Sequence, residues 1–370
     1  MGEEDGVKVF VSKDTEGGSD PMRIGVLTGG GDCPGLNAVI RAVVLTGEAI
    51  HGDQMVGYLD GWRGVMEGRS IPLDTASCRD LLPAGGTVLG TSRTNPFAMD
   101  GGIERVLGTL ASDHIEAVVA IGGEDTLGVA MRLGPLGIRV VGVPKTIDND
   151  LSGTEVTFGF HTAVQTATDA IDRLRTTAES HHRVIVCEVM GRHAGWIAAY
   201  AGMAGGVAEI LVPEVPFQLA EVCDRLSERH SRGEHSSIVV VSEGALPAEG
   251  PEAEAARQAT ASTSVDAFGH ARLGGIGAWL AEEIEQRTGF ESRVTALGHV
   301  LRGGTPTAYD RILATRFGIT AVLAVHKGDF GAMVALQADR IVTVPLEAAV
   351  GTPKPLDPSF LRQVGAHLFS

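Results

Sequence analysis

Short, unbroken apolar runs recur along this chain, and most are followed by a turn rich in Gly, Asp, Asn or Arg. The runs lie at 24–27, 54–59, 117–121, 138–143, 184–189, 209–212 and 237–241. They are continuous rather than alternating, as strands are when both faces of a parallel sheet are covered. Helical periodicity fills stretches between them, at 36–49, 160–178, 196–204, 220–230 and 308–325. Strands alternating with helices predict an α/β fold, with helices on both faces of each sheet. At 370 residues the chain is long enough for more than one such unit. The Gly-, Glu-, Ala- and Pro-rich stretch 244–254 reads as an exposed loop. No internal repeat and no heptad run is present. Residues 1–21 are polar, acidic and Gly-rich, and read as a disordered extension or the product of an upstream start site, with folding from Met22.

Thirty basic residues against 46 acidic ones leave a net charge of −16. That field opposes non-specific binding to nucleic acid or to an anionic membrane. It leaves phosphorylated small molecules open, because a few Arg side chains and backbone N–H groups can reverse the sign inside one cleft. Cys33, Cys78, Cys187 and Cys223 form no CxxC pair, which fits a reducing compartment and argues against zinc. No apolar run reaches transmembrane length and none resembles a leader segment, so the expectation is a cytoplasmic protein.

Five segments carry polar chemistry. Gly29-Gly30-Gly31-Asp32 follows the first run and opens a helix, a geometry that can present N–H groups to an anion or be a plain tight turn. Gly122-Gly123-Glu124-Asp125 follows another run; its adjacent acids suit a magnesium ion, or merely complement a helix dipole. Lys145-Thr146-Ile147-Asp148-Asn149-Asp150 places two acids two residues apart, one able to accept a hydroxyl proton while the other orients it or holds metal. A polar turn is the plainer reading there. Met190-Gly191-Arg192 puts an Arg at a strand end, suited to bidentate binding of a phosphate, with Arg183 at the start of that strand. Arg293 and Gly298-His299-Val300-Leu301-Arg302-Gly303-Gly304 offer further phosphate ligands, and Glu243 is placed to accept sugar hydroxyls or to serve as a loop acid. No Ser-His-Asp, Cys-His or HExxH arrangement is present. Spacing alone therefore stops at a phosphate-handling α/β enzyme.

Taken together and in this order, the five segments resemble the phosphofructokinase family from about residue 23 to residue 318. The resemblance implies two Rossmann-like α/β sandwich domains with the active site in the cleft between them. Residues 22–159 plus 299–350 would form the phosphate-donor domain, and 160–298 plus 351–370 the fructose 6-phosphate domain. It implies Mg²⁺-dependent phosphoryl transfer to the 1-hydroxyl of fructose 6-phosphate, with Asp148 as general base. Thr146, Asp150, Met190, Gly191, Arg192, Glu243, His299 and Arg302 would surround the sugar phosphate. Arg183 and Arg293 would reach it from a neighbouring subunit, which implies a homo-oligomer, a tetramer or a dimer. Arg93 would assist the transferring group, Gly30 would lie in the donor loop and Glu124 would take the metal-site position, where many members carry Asp.

Two positions bear on the donor. ATP-using relatives carry Gly where this chain has Asp125, leaving room for an α-phosphate, and common bacterial ATP users carry Gly where this chain has Lys145. Asp125 with Lys145 resembles the pyrophosphate-dependent enzymes, so diphosphate is the expected donor and a reversible reaction the expected consequence. ATP as donor, and sedoheptulose 7-phosphate as an alternative acceptor, are the runner-up readings.

Overall fold

The computed structural model describes residues 20–260 and 274–368, so residues 1–19 of the expected extension lie outside the described residues. The apolar runs become strands because each can bury almost every side chain. Strand β1 (Arg23–Thr28) is buried from Ile24 onward, and β4 (Ala117–Gly122), β6 (Val184–Val189) and β8 (Ser237–Ser242) are buried at every position. The remaining strands are β2 (Gln54–Tyr58), β3 (Ser70–Leu73), β5 (Val140–Pro144), β7 (Glu209–Leu211), β9 (Ser292–Ala296), β10 (Ala332–Gln337) and β11 (Arg340–Pro345).

They form two sheets, one of seven strands in the order β11-β10-β5-β4-β1-β2-β3 and one of four in the order β7-β8-β6-β9. The central pairs are parallel, with Ile24 opposite Ala117 and Ile121 opposite Val143. Only β3 and β11 run antiparallel, as edge strands. The first sheet therefore reverses strand order between the adjacent strands β1 and β4. In such sheets the crevice outside the strands' carboxyl ends at that switch point is where ligands bind. The strands at 332–345, late in the chain, return to the sheet of β1.

Helix Leu36–Thr46 packs against helix Ala308–Lys327 so closely that a methyl at Gly318 would sit 2.6 Å from the Ala42 Cβ. Phe158 and Phe317 meet edge to face at 6.5 Å beside the same core. Truncating Phe158 to Ala would cost about 3–5 kcal/mol. The four cysteines are free and buried, as expected of a chain without structural disulfides.

Several boundaries move. The helix expected over 36–49 ends at Thr46 and continues as a π turn over Gly47–His51. The strand expected from 138 begins at Val140, because a 3₁₀ turn, Gly134–Leu136, and the left-handed Gly137 still reverse the chain there. The stretch 244–254 is not one exposed loop. Ala245 is buried, and a helix, Pro251–Thr260, begins inside it with Ala253 and Ala256 turned into the core. Its Glu-rich composition describes only the outer face. Strands β3, β9, β10 and β11, and helices Gly102–Ser112, Glu124–Leu133 and Ile276–Thr288, were not expected from periodicity. Most of these strands carry polar residues on an exposed side, which breaks up their apolar pattern.

Candidate active site

Every polar segment singled out in the sequence, apart from Arg183 and Arg293, lies at the carboxyl end of a strand. Gly29–Asp32 follows β1, Glu124 and Asp125 follow β4, and Lys145–Asp150 follows β5. From the second sheet, Met190–Arg192 follows β6, Glu243 follows β8, and the 3₁₀ turn Gly298–Arg302 follows β9.

The Gly loop is pinned by its backbone. Gly29 N–H donates to the Ile121 carbonyl at 3.0 Å, Gly30 N–H donates to the Ser92 carbonyl at 3.1 Å, and the Thr91 hydroxyl donates to the Gly30 carbonyl at 2.6 Å. This brings the 90–93 segment, and with it Arg93, alongside β1. Lys145 is buried and its ammonium donates to the Gly31 carbonyl. Burial pushes that ammonium down to about 8, with Arg302 and Arg93 acting in the same direction, while Cys33 and Asp32 act against it. Three cations are thus gathered at one point of an acidic protein.

The acid pair sits on a tightly held turn. The Thr146 hydroxyl accepts the Asp148 N–H at 3.1 Å and is hydrogen-bonded to Asp150. Asn149, between the acids, has φ +53°, a left-handed conformation that Asn tolerates. Asp148 Oδ1 is buried without a hydrogen-bond partner. Burial raises Asp148 to about 7; the Asp150 carboxylate adds to the rise, Arg302 opposes it, Glu243 adds and Lys145 opposes. Asp150 is also raised, chiefly by burial, and feels Glu124 and His193. A buried carboxylate with an unsatisfied oxygen, poised near neutrality, is the environment a general base requires.

The second sheet supplies the other wall. Gly191 has φ +138°, and a side chain there would strike the Ser242 hydroxyl at 2.4 Å; that hydroxyl instead donates to the Gly191 carbonyl at 2.7 Å. Glu243 N–H is held by the Val189 carbonyl at 2.9 Å. Burial raises the Glu243 carboxyl, and Arg192 opposes that rise. Met190 and Arg192 are half-buried on the same turn, and His299 is exposed on the turn that carries Arg302.

Arg183 and Arg293 lie elsewhere. Both converge on Glu291, Arg183 at 2.7 Å, at the amino ends of β6 and β9. At ~3.3 Å per residue, that is roughly 20 Å from Met190. Within one chain they do not reach the acid pair.

Glu124 is exposed at the start of helix Glu124–Leu133, and its Oε1 accepts the Gly351 N–H at 3.1 Å. Among the described residues, no group of three or more His, Cys, Asp or Glu side chains could hold a metal ion. The donor set here fits an ion that takes most of its ligands from phosphate oxygens and water, with one carboxylate from the protein. The sequence reading places no site residue in the segment Gly351–Leu356. It holds no Gly-rich or acidic motif, and only the Pro353-Lys354-Pro355 triplet marks it.

Comparisons with known proteins agree with this architecture. The pyrophosphate--fructose 6-phosphate 1-phosphotransferase of Streptomyces coelicolor is 57% identical over 93% of this chain and 99% of its own length. The ATP-dependent 6-phosphofructokinase of Corynebacterium efficiens is 52% identical over 90% of this chain and 95% of its own. The crystal structure of Pichia pastoris phosphofructokinase superposes with a TM-score of 0.76 at 31% identity, covering 90% of this chain and 38% of that longer one. The family model described as Phosphofructokinase matches residues 23–325, and the chain belongs to that family.

Proposed function

We propose that the protein transfers a phosphoryl group reversibly from diphosphate to the 1-hydroxyl of fructose 6-phosphate, giving fructose 1,6-bisphosphate and phosphate. The observation that carries the reading is the buried Asp148 oxygen without a partner, facing Arg302 and Lys145 where the carboxyl ends of the two sheets meet. Asp148 takes the hydroxyl proton as the sugar oxygen attacks the transferring phosphorus. Thr146 holds the backbone of Asp148 and the side chain of Asp150. Lys145, Arg93 and the Gly30 loop stabilise charge on the transferring and leaving groups. Met190, Gly191, Arg192, Glu243, His299 and Arg302 bind the sugar phosphate. Glu124, with Asp150 nearby, would hold Mg²⁺, which when bound neutralises charge on the diphosphate oxygens.

Diphosphate is favoured as donor because Asp125 lies half-buried beside Glu124 at the start of the same helix, where its carboxylate repels an α-phosphate, and because Lys145 supplies a compact charge. ATP is the second reading, supported by the 52% identity to an enzyme named as ATP-dependent. Steady-state comparison of the two donors with fructose 6-phosphate and Mg²⁺ tests this. The expected result is a higher kcat/KM for diphosphate, with Asp125→Gly admitting measurable ATP use while weakening diphosphate use. A higher kcat/KM for ATP in the parent overturns the diphosphate reading.

Three further points belong to the proposal. The chain is divided into a donor lobe of 22–159 plus 299–350 and a sugar lobe of 160–298 plus 351–370, a division consistent with β10 and β11 returning to the sheet of β1. It works as a homo-oligomer, a tetramer or a dimer, in which Arg183 and Arg293 complete a neighbouring site. Exposed Tyr309, Ile312 and Ile319 share one stripe of helix Ala308–Lys327, and Val294 is exposed next to Arg293; such apolar exposure suits a subunit contact. Among the described residues no helix is long and apolar enough to cross a membrane, and the protein is proposed to act in the cytoplasm.

A further inference from the structure

The described carboxyl-terminal segment crosses from one half of the site to the other. At one end, Gly351, in a left-handed conformation at φ +85°, donates its N–H to Glu124. Pro353 bridges to Leu151, and the Ser152 hydroxyl donates to the Thr352 carbonyl at 2.6 Å. Lys354 N–H donates to the Asp150 carbonyl at 2.8 Å. The Lys354 ammonium donates to Asn149 Oδ1 at 3.0 Å, the Thr154 carbonyl at 2.9 Å and the Glu155 carbonyl at 2.8 Å. Three acceptors match its three protons.

At the other end, the segment is tied to the second sheet's helices. Trp196 Nε1–H donates to the Lys354 carbonyl at 3.0 Å, and the Lys354 ammonium lies 5.5 Å from the Trp196 ring centre. Glu214 accepts both the Leu356 N–H at 2.8 Å and the Gly195 N–H at 3.0 Å, so one carboxylate joins the segment to the start of helix Trp196–Ala204. Leu356 is fully buried, and Phe360 stacks on Tyr200 at 5.5 Å.

Resting on the phosphoryl-transfer reading above, we infer that residues 351–356 are a strap that positions the site's acids, and that Lys354 is its principal positioning residue. Lys354 touches no reacting atom. It acts through Asn149, whose side-chain oxygen also accepts the Thr157 N–H at 3.1 Å. Fixing that side chain fixes the left-handed turn that carries Asp148 on one side and Asp150 on the other. The same strap orients Glu124, whose Oε1 accepts the Gly351 N–H at 3.1 Å. Because Trp196 and Glu214 belong to the β6–β8 half of the molecule, the strap makes the geometry of the acid turn depend on how the two halves sit together.

The test compares the wild-type chain with Lys354→Met, Lys354→Arg and Trp196→Phe, using whichever of diphosphate or ATP the wild type turns over. Misplacing a catalytic group by about 1 Å can cost roughly a hundredfold, so Lys354→Met is expected to lower kcat by about ten- to a hundredfold. KM for fructose 6-phosphate should stay within about twofold, the signature of a transition-state rather than a binding defect. Lys354→Arg should recover most of the loss. Trp196→Phe keeps an aromatic side chain but removes the Nε1–H donor together with part of the indole's packing, and should lower kcat by roughly two- to tenfold, about the weight of the lost hydrogen bond. Hydrogen exchange in Lys354→Met should rise in the peptide spanning 146–157 while helix Ala308–Lys327 keeps its protection. A Met variant with undiminished kcat, an Arg variant no better than Met, unchanged exchange at 146–157, or loss of protection in both peptides together overturns the strap. Wild-type turnover alone judges the phosphoryl-transfer reading. If it is absent with both donors that reading fails, and the exchange measurement still decides whether the strap holds the acid turn.

Discussion

The guanidinium of Arg302 occupies the space that a side chain at Gly31 would need: a methyl built there would lie 1.9 Å from Nη1. The turn after β9 and the loop after β1 are therefore in direct contact, and the glycine leaves room for the guanidinium of an arginine from the other sheet. Gly31→Ala should push Arg302 aside. The Arg side chain can move, so stability should change by less than about 1 kcal/mol, whereas losing a charge-assisted contact to a phosphate costs about 1.5–3 kcal/mol. The expected outcome is a melting temperature close to the parent's, with kcat/KM for fructose 6-phosphate lower by about ten- to a hundredfold. A variant with unaltered kinetics would show that Arg302 does not bind substrate from this position.

The pH profile follows from two buried groups. Asp148, raised to about 7, must be ionised to accept a proton, so kcat/KM should fall as pH drops through about 7. Lys145, lowered to about 8, must be charged to stabilise the diphosphate, so kcat/KM should fall again as pH rises through about 8. A narrow bell with its maximum between these limits is expected. Asp150→Asn removes a neighbouring negative charge and should move the acid limb to lower pH in whatever activity remains. A profile flat from pH 6 to 9 would rule out both assignments.

Asp148→Asn separates activity from stability. Loss of a general base costs roughly 10²–10⁴ in rate, while fructose 6-phosphate binding should survive. The stability effect has the opposite sign. Asp148 holds its proton more tightly in the folded chain than at its ordinary value of 3.8. The carboxyl therefore destabilises the fold increasingly as pH rises from about 4 to about 7, and by a constant amount above that. Asn carries no such penalty. Thermal melts should show the variant more stable than the parent at pH 8, with the difference shrinking toward pH 4. Turnover within twofold of the parent would remove Asp148 from the mechanism.

Arg183 and Arg293 meet at Glu291, at the opposite end of the second sheet's strands from the acid pair. If they complete a neighbouring subunit's site, two inactive variants should complement each other. Arg293→Ala and Asp148→Asn, unfolded together and refolded as a mixture, should regain activity that neither shows alone, since some mixed sites receive both native groups. No recovery from a mixture proven to contain mixed oligomers would place these arginines outside catalysis, as would full activity in a 38.5 kDa monomer.

The α/β class, most central strands and the polar segments beyond them are legible in the sequence, because each rests on local pattern. A continuous apolar run such as Val184–Val189 can satisfy itself only inside a sheet covered on both faces, and a Gly-rich turn after it can bend in few ways. Of the edge strands only β7 lies on one of the apolar runs; Arg340–Pro345 mixes polar and apolar residues without a clean period and is a strand only because β10 lies beside it. Nor could local pattern reveal that Pro251–Thr260 is helical, since only Ala253 and Ala256 face the core. The acidic and basic residues of the site were named by type and spacing. Their chemistry was decided by distance: the rise of Asp148 comes from burial and from Asp150, and the fall of Lys145 from burial and two arginines brought from positions 93 and 302. Lys354 shows the limit most plainly. Only its two flanking prolines mark it in sequence, and it gains a role because folding carries it across some two hundred positions to Asn149. Charge interactions and hydrogen bonds depend on separation in space, and that is the quantity a linear pattern does not contain.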